Sequence, residues 1–299
     1  MRMMLASFMR LCAAVPGARA LAMTLALPGI ALLGAAGTAH AAQSTQGAPP
    51  PAPRADTPAP RTDANSAQAH AELLAKRGRG RIDVYFIGDS ITRRWGAAEP
   101  RYRPLLEHWQ RSFHGWNAAN FAWGGDTTRN ILWRLDQGEL DGVAPKVIVV
   151  MAGTNNLSGA LATRTAADLT ADVVRGIEAI LARCRSLAPQ ARIVLMGITP
   201  RNDDMALMPV IRSVNARLAR LHDGERLRFI DLADRLADAE GRLLPGVADP
   251  DGLHLALPAY EIWADALRPV LQEWLGPPAD EDLAPPPTGD PSAMRASEG

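Results

Sequence analysis

Five short apolar runs rich in β-branched residues recur along the chain: Ile82–Ile87, Trp116–Phe121, Val147–Ala152, Ile193–Ile198 and Leu227–Leu232. Between them lie stretches with helical periodicity, Pro100–Ser112, Thr128–Gln137, Ala166–Leu187 and Pro209–His222, and Pro258–Trp274 follows the last run. A strand that is apolar at nearly every position has no face to give to water, so it must be covered on both sides. Helices in alternation supply that cover and the crossovers that parallel strands need. The pattern predicts an α/β domain built on a five-stranded parallel sheet. In such sheets ligands gather beyond the carboxyl ends of the strands, near the point where strand order reverses. With an order 2-1-3-4-5 that point would fall between the first and third strands, although pattern alone does not dictate the order.

The flanks read differently. Arg2, Arg10 and Arg19 precede an apolar run from Ala20 to Gly37, and Ala39-His40-Ala41 offers a small-x-small cleavage site. Residues 1–41 are therefore expected to be an export signal, with an uncleaved membrane anchor as the alternative. Residues 42–65 carry six prolines between Pro49 and Pro60 and are expected to be a disordered linker. The proline-rich tail 276–299 is expected to behave likewise, leaving one domain over residues 66–275.

With 32 basic and 32 acidic residues the chain is formally neutral, and losing the three leader arginines leaves it near −3. No basic stripe is present, which argues against a nucleic-acid partner. Cys12 lies in the leader, so an exported form keeps Cys184 alone and has no internal disulfide. Cys184 also sits on the stripe Leu169, Val173, Ile177, Ile180, Cys184, Leu187, where it reads as a buried hydrophobe. No metal-ligand spacing occurs, so neither a metal nor another cofactor is expected.

Ser90 closes the first run in Gly88-Asp89-Ser90, a position equally open to a helix cap. A serine becomes a nucleophile only with a base to take its proton. Five histidines follow the leader, and His70, His108, His114 and His222 border the linker or lie on amphipathic helices, where surface or helix-end roles are expected. His254 alone has a carboxylate three positions earlier, Asp251, which a loop could bend onto Nδ1. Asp249 competes for that place from five positions away, across Pro250. Donors for a developing oxyanion are the Ser90 N–H, the Gly125 N–H after Gly124 and the Asn155 side chain in Gly153-Thr154-Asn155-Asn156. Alone, the glycine pair could equally be a tight turn and Asn155 a helix cap.

Ser90, Gly125, Asn155 and His254, in that order, resemble the four motifs of the SGNH, or GDSL-type, esterase superfamily. Within it, Gly-Gly-Asp-Thr-Thr-Arg-Asn-Ile-Leu-Trp-Arg-Leu (124–135), Gly138-Glu139-Leu140 and Pro145–Val150 resemble the catalytic subunits of the intracellular platelet-activating-factor acetylhydrolases. The likeness covers about Val84–Arg201 and returns over Asp251–Trp274. It implies a flavodoxin-like three-layer α/β/α sandwich and metal-free ester hydrolysis through an acyl-enzyme. The triad would be Ser90, His254 and Asp251. Ala122 stands where glycine is common in these proteins, and Trp123 precedes the glycine pair. Trp123, Ile91 and Leu253 are expected to narrow the acyl pocket, unless Trp123 fills the core. The expected substrate is a small acyl ester, most plausibly an acetyl ester, on a carbohydrate or another alcohol. A lysophospholipase or thioesterase with a longer acyl groove, and a non-catalytic carbohydrate-binding relative at the envelope, are the alternatives. Export conflicts with a cytosolic lipid-mediator role.

Overall fold

The structure is a computed structural model that describes residues 53–297, so the proposed leader and residues 42–52 of the proline-rich lead lie outside the described residues. Strands β1 (Val84–Gly88), β2 (Ala118–Asn120), β3 (Val147–Met151), β4 (Arg192–Met196) and β5 (Leu227–Ile230) form one parallel sheet in the order β2-β1-β3-β4-β5. Strand order reverses between β1 and β3, as the flavodoxin-like arrangement requires.

Register explains the uninterrupted apolar runs. Val84 pairs with Val147 and Gly88 with Met151, and side chains then alternate between the two faces. Tyr85, Ile87, Ile148, Val150, Ile193 and Leu195 belong to one core. Helices α4 (Thr128–Asp136), α6 (Ala166–Leu187) and α7 (Met208–Leu218) cover it. Val84, Phe86, Val147, Val149, Val194 and Met196 belong to the other. Its cover is α2 (Ser90–Trp95), α3 (Arg103–Phe113), the short α8 (Ala233–Leu236) and α9 (Leu257–Leu275). Here fully buried Trp95 has ring centroids 5.0 Å from Phe113 and Trp263 and 5.2 Å from Tyr260. Cys184 is buried in the first core, where burial pushes its thiol up to about 12.

Three segments depart from expectation. β2 is shorter than Trp116–Phe121, because Gly115 (φ 80°) and Asn117 (φ 48°) break the extended backbone before it. The described lead, residues 53–63, lies against the domain and is not a free linker. Ala55 N donates to Asp172 Oδ1 at 3.1 Å, and its carbonyl accepts from Thr128 Oγ1 at 2.7 Å. Gly176 leaves the notch, since a Cβ there would sit 2.8 Å from the Ala55 carbonyl oxygen. The chain then enters α1 (Ala64–Lys76), capped by Asp63. The tail also docks. Ala279 N donates to Gly115 O at 3.0 Å, Leu283 N to Asn117 Oδ1 at 2.7 Å, and Arg81 N to Leu283 O at 2.8 Å. In both flanks, extended proline-rich backbone has carbonyls and amides to spare, and domain groups satisfy them.

Candidate active site

The carboxyl ends of β1, β2 and β3 deliver three turns to one edge. Ser90 is the first residue of α2, held by Asp89, whose side chain accepts from Ile91 N at 3.0 Å. The Gly124-Gly125 turn follows β2, and Gly125 has φ 78°, a conformation suited to glycine. A Cβ on Gly124 would lie 3.8 Å from that of Ser90, so this turn borders the serine. Asn155 lies in the short helix α5 (Thr154–Leu157) after β3. Gly153 before it has φ 117°, and a Cβ there would lie 2.8 Å from Ile198 Cδ1.

The fourth part arrives from the loop before α9. Gly252, at φ 69°, lets the loop fold back, with its carbonyl accepting from Asn202 N at 2.7 Å. His254 Nε2 lies 2.9 Å from Ser90 Oγ, and Nδ1 lies 2.6 Å from Asp251 Oδ2. The other oxygen, Oδ1, accepts from the Leu253 and His254 backbone N–H groups at 2.9 Å each. Partial burial would raise the Asp251 carboxyl, but these N–H groups and the imidazole outweigh it and hold it at about 2. Asp249, the competitor for this place, instead accepts from Arg94 Nη1 at 2.9 Å.

The remaining histidines have other partners. His114 Nε2 lies 3.0 Å from the Asp280 carbonyl, and His222 Nδ1 accepts from Phe229 N. His70 and His108 are more enclosed than expected. His70 Nδ1 lies 3.0 Å from Glu139 Oε1, and His108 Nδ1 accepts from Trp95 Nε1 at 3.0 Å.

Two of the expected pocket walls, Ile91 and Trp123, need correction. Ile91 is 1% exposed within the second core, so it offers an acyl group no surface. Trp123 is also buried, its Nε1 donating to Ser66 Oγ at 3.0 Å and its ring 4.9 Å from the Arg93 guanidinium. Leu253 packs, partly buried, against the same core as Ile91. No group of three His, Cys, Asp or Glu side chains among the described residues is placed to hold a metal ion. No helix among them is long and apolar enough to cross a membrane.

Sequence reasoning missed a buried scaffold beneath the glycine turn. Arg134 donates to Asp126 Oδ2 at 2.8 Å, to the Phe121 carbonyl at 2.8 Å and to Glu139 Oε2 at 2.5 Å. The Asp126 carbonyl in turn accepts from Asn155 Nδ2 at 2.8 Å, which leaves the second amide proton for another acceptor. It also missed Arg61, whose Nη1 donates to the Gly124 carbonyl at 2.9 Å. Nothing in the spacing of these residues marks them, because each is joined to its partner only by the fold.

The model of the GDSL-like lipase/acylhydrolase family matches residues 86–262, more than half of the chain and all four turns. The chain belongs to this family. The family is one of lipases and acylhydrolases. The GDSL-like chain is 35% identical over 191 residues to the platelet-activating factor acetylhydrolase IB subunit alpha1 of Rattus norvegicus, covering 63% of this chain and 75% of the relative. It is 40% identical over 121 residues to the human subunit alpha2, covering 40% of this chain and 45% of that protein. The match thus spans less than half the length of the alpha2 relatives. Among solved structures, a GDSL-like lipase from Bacteroides thetaiotaomicron shares the fold at a TM-score of 0.52 and 19% identity, covering 70% of this chain and 96% of its own.

Proposed function

We propose that this GDSL-family hydrolase cleaves small acyl oxygen esters, with acetyl esters as the main class, through a Ser90–His254–Asp251 triad. The observation that carries the reading is the continuous hydrogen-bonded line from Ser90 Oγ through both imidazole nitrogens to Asp251. Ser90 Oγ attacks the ester carbonyl and its proton passes to His254 Nε2. The carbonyl oxygen becomes an oxyanion, met by the Ser90 and Gly125 N–H groups and the free Asn155 amide proton. Collapse breaks the ester C–O bond as His254 protonates the departing alcohol. Water then gives a proton to His254 and attacks the acyl-serine, releasing the acid and restoring Ser90. Asp251, kept ionised, holds the Nδ1–H tautomer and stabilises the imidazolium.

One observation favours a small acyl group: the relatives' name specifies acetyl hydrolysis. Carbohydrate alcohols and export complete the proposal, the latter on the leader features of residues 1–41, and N-terminal sequencing of exported protein tests it. The central test is turnover of p-nitrophenyl esters from acetate to palmitate by wild type and Ser90→Ala. Wild type should fall steeply beyond butyrate, and Ser90→Ala should lose about 10⁶-fold in kcat on acetate. Wild-type turnover by Ser90→Ala overturns the triad, and a preference for palmitate overturns the small pocket.

A further inference from the structure

We infer that Arg61, from the proline-rich lead, is a positioning residue that aims and polarises the Gly125 N–H of the oxyanion hole. The inference rests on the proposed role of that N–H and adds a group outside the four family turns.

The argument begins with one peptide unit. The bond between Gly124 and Gly125 is trans, as are the other described peptide bonds. In a trans unit the carbonyl and the N–H point in opposite directions. The oxygen lies on the side of the following Cα, and the hydrogen on the side of the preceding one. Both sides are marked here. A Cβ on Gly124 would meet the Ser90 Cβ at 3.8 Å, so the N–H side of the unit faces the serine. A Cβ on Gly125 would lie 2.9 Å from Arg61 Nη1, so the carbonyl side faces the guanidinium. Arg61 Nη1 donates to the Gly124 oxygen at 2.9 Å and closes that side.

Two consequences follow. Glycines on both sides give this unit more rotational freedom than any other residue pair would. A charge-assisted hydrogen bond on its oxygen removes that freedom where an oxyanion hole needs a fixed donor. A cation on the carbonyl also draws electron density through the amide and strengthens the N–H as a donor, in the manner of hydrogen bonds in a chain. The guanidinium is itself anchored: Nη2 lies 3.4 Å from Asp63 Oδ2, and Nη1 lies 3.7 Å from Asp126 Oδ1. Asp126 Oδ1 is buried and has no hydrogen-bond partner, so Arg61 also offsets a carboxylate charge close to the developing oxyanion. Arg61 remains one-third exposed, so its removal opens the position to water.

The experiment compares Arg61→Met and Arg61→Lys with wild type and Ser90→Ala, on p-nitrophenyl acetate and with the full chain. Outright loss of an oxyanion donor lowers turnover by ~10²–10³, and loss of its support should cost less, about 10-fold in kcat for Arg61→Met. KM should stay within about two-fold, because the donor acts on the transition state and not on the bound ester. Arg61→Lys keeps the charge but not the fork and should fall between the two. Added guanidinium at non-denaturing concentration should recover part of the Arg61→Met deficit and leave wild type unchanged. Wild-type kcat in Arg61→Met, a change confined to KM, or a deficit that guanidinium does not relieve overturns the assignment. Ser90→Ala separates the two levels. Retained activity there sinks the triad itself, whereas an inactive Ser90→Ala beside a fully active Arg61→Met sinks only the role of Arg61.

Discussion

Two carboxylates beside the serine edge, Asp251 and Asp126, each hold a nitrogen partner, in opposite surroundings. Asp251 sits on a loop with 45% of its side chain exposed. Two backbone N–H groups and His254 fill its oxygens, and its carboxyl is held at about 2. Asp126 is fully buried; burial pushes its carboxyl up against the pull of Arg134, and one of its oxygens has no hydrogen-bond partner. Asp89, next to Ser90, is buried too, and burial reinforced by the Asp126 charge lifts it to about 7, although Ile91 N donates to it. Exposure alone does not set the ionisation of these groups. Donors weigh against burial: they outweigh it at the loop carboxylate, while burial outweighs the few partners of the buried ones. The loop can therefore supply a fixed negative charge to an imidazole, whereas Asp126 and Arg134 fix the backbone that carries Gly125 and Asn155.

The contrast can be broken at either end. The largest effect should come from Asp251→Asn, which keeps the shape but favours the wrong imidazole tautomer. The mechanism predicts a fall in kcat of about 10⁴ with an unchanged fold, against less than about two-fold for Asp249→Asn, whose partner is Arg94. Equal losses in steady-state turnover for the two variants would remove the distinction between the acids. Next comes Arg134→Met, which strands Asp126 and Glu139 in the core. Chemical denaturation should show a loss of about 3–5 kcal/mol, and a loss below about 1 kcal/mol would show that the scaffold is not held by this pair.

The smallest effect is in pH dependence. Folded Asp89 keeps its proton to about 7, while the unfolded chain releases it near 3.8. The native state therefore binds the extra proton between these values, and stability falls as pH rises from about 4 to about 7. Asp251 runs the other way, its contribution intact above about pH 4 and lost as pH falls toward 2. Denaturation midpoints across this range should show a flatter upper limb in Asp89→Asn, which keeps the acceptor for Ile91 N. An unchanged limb would contradict the raised Asp89.

Much of the frame was legible. Strands β1 to β4 announce themselves because they are buried on both faces almost throughout, and α6 occupies the whole stretch Ala166–Leu187 because its stripe is long and Thr165 caps it. Ser90 and His254 could be named because Asp251 and the donor turns leave local marks, three residues apart or at strand ends. What failed to show was non-local. Residues 53–63 contain almost nothing a core would demand, yet Asp172, Thr128 and Asn130 bind their backbone from far along the chain. Ile91 and Trp123 were expected at the pocket because they neighbour the motifs. The first turn of α2 rolls Ile91 inward, and Ser66 on α1 draws the Trp123 indole away.

The most direct test of the central claim is covalent. The wild-type protein, treated with a fluorophosphonate and digested, should carry one adduct, on Ser90, rising in step with the loss of esterase activity. An unmodified Ser90 in fully inhibited protein, or an adduct on another residue, would contradict the account.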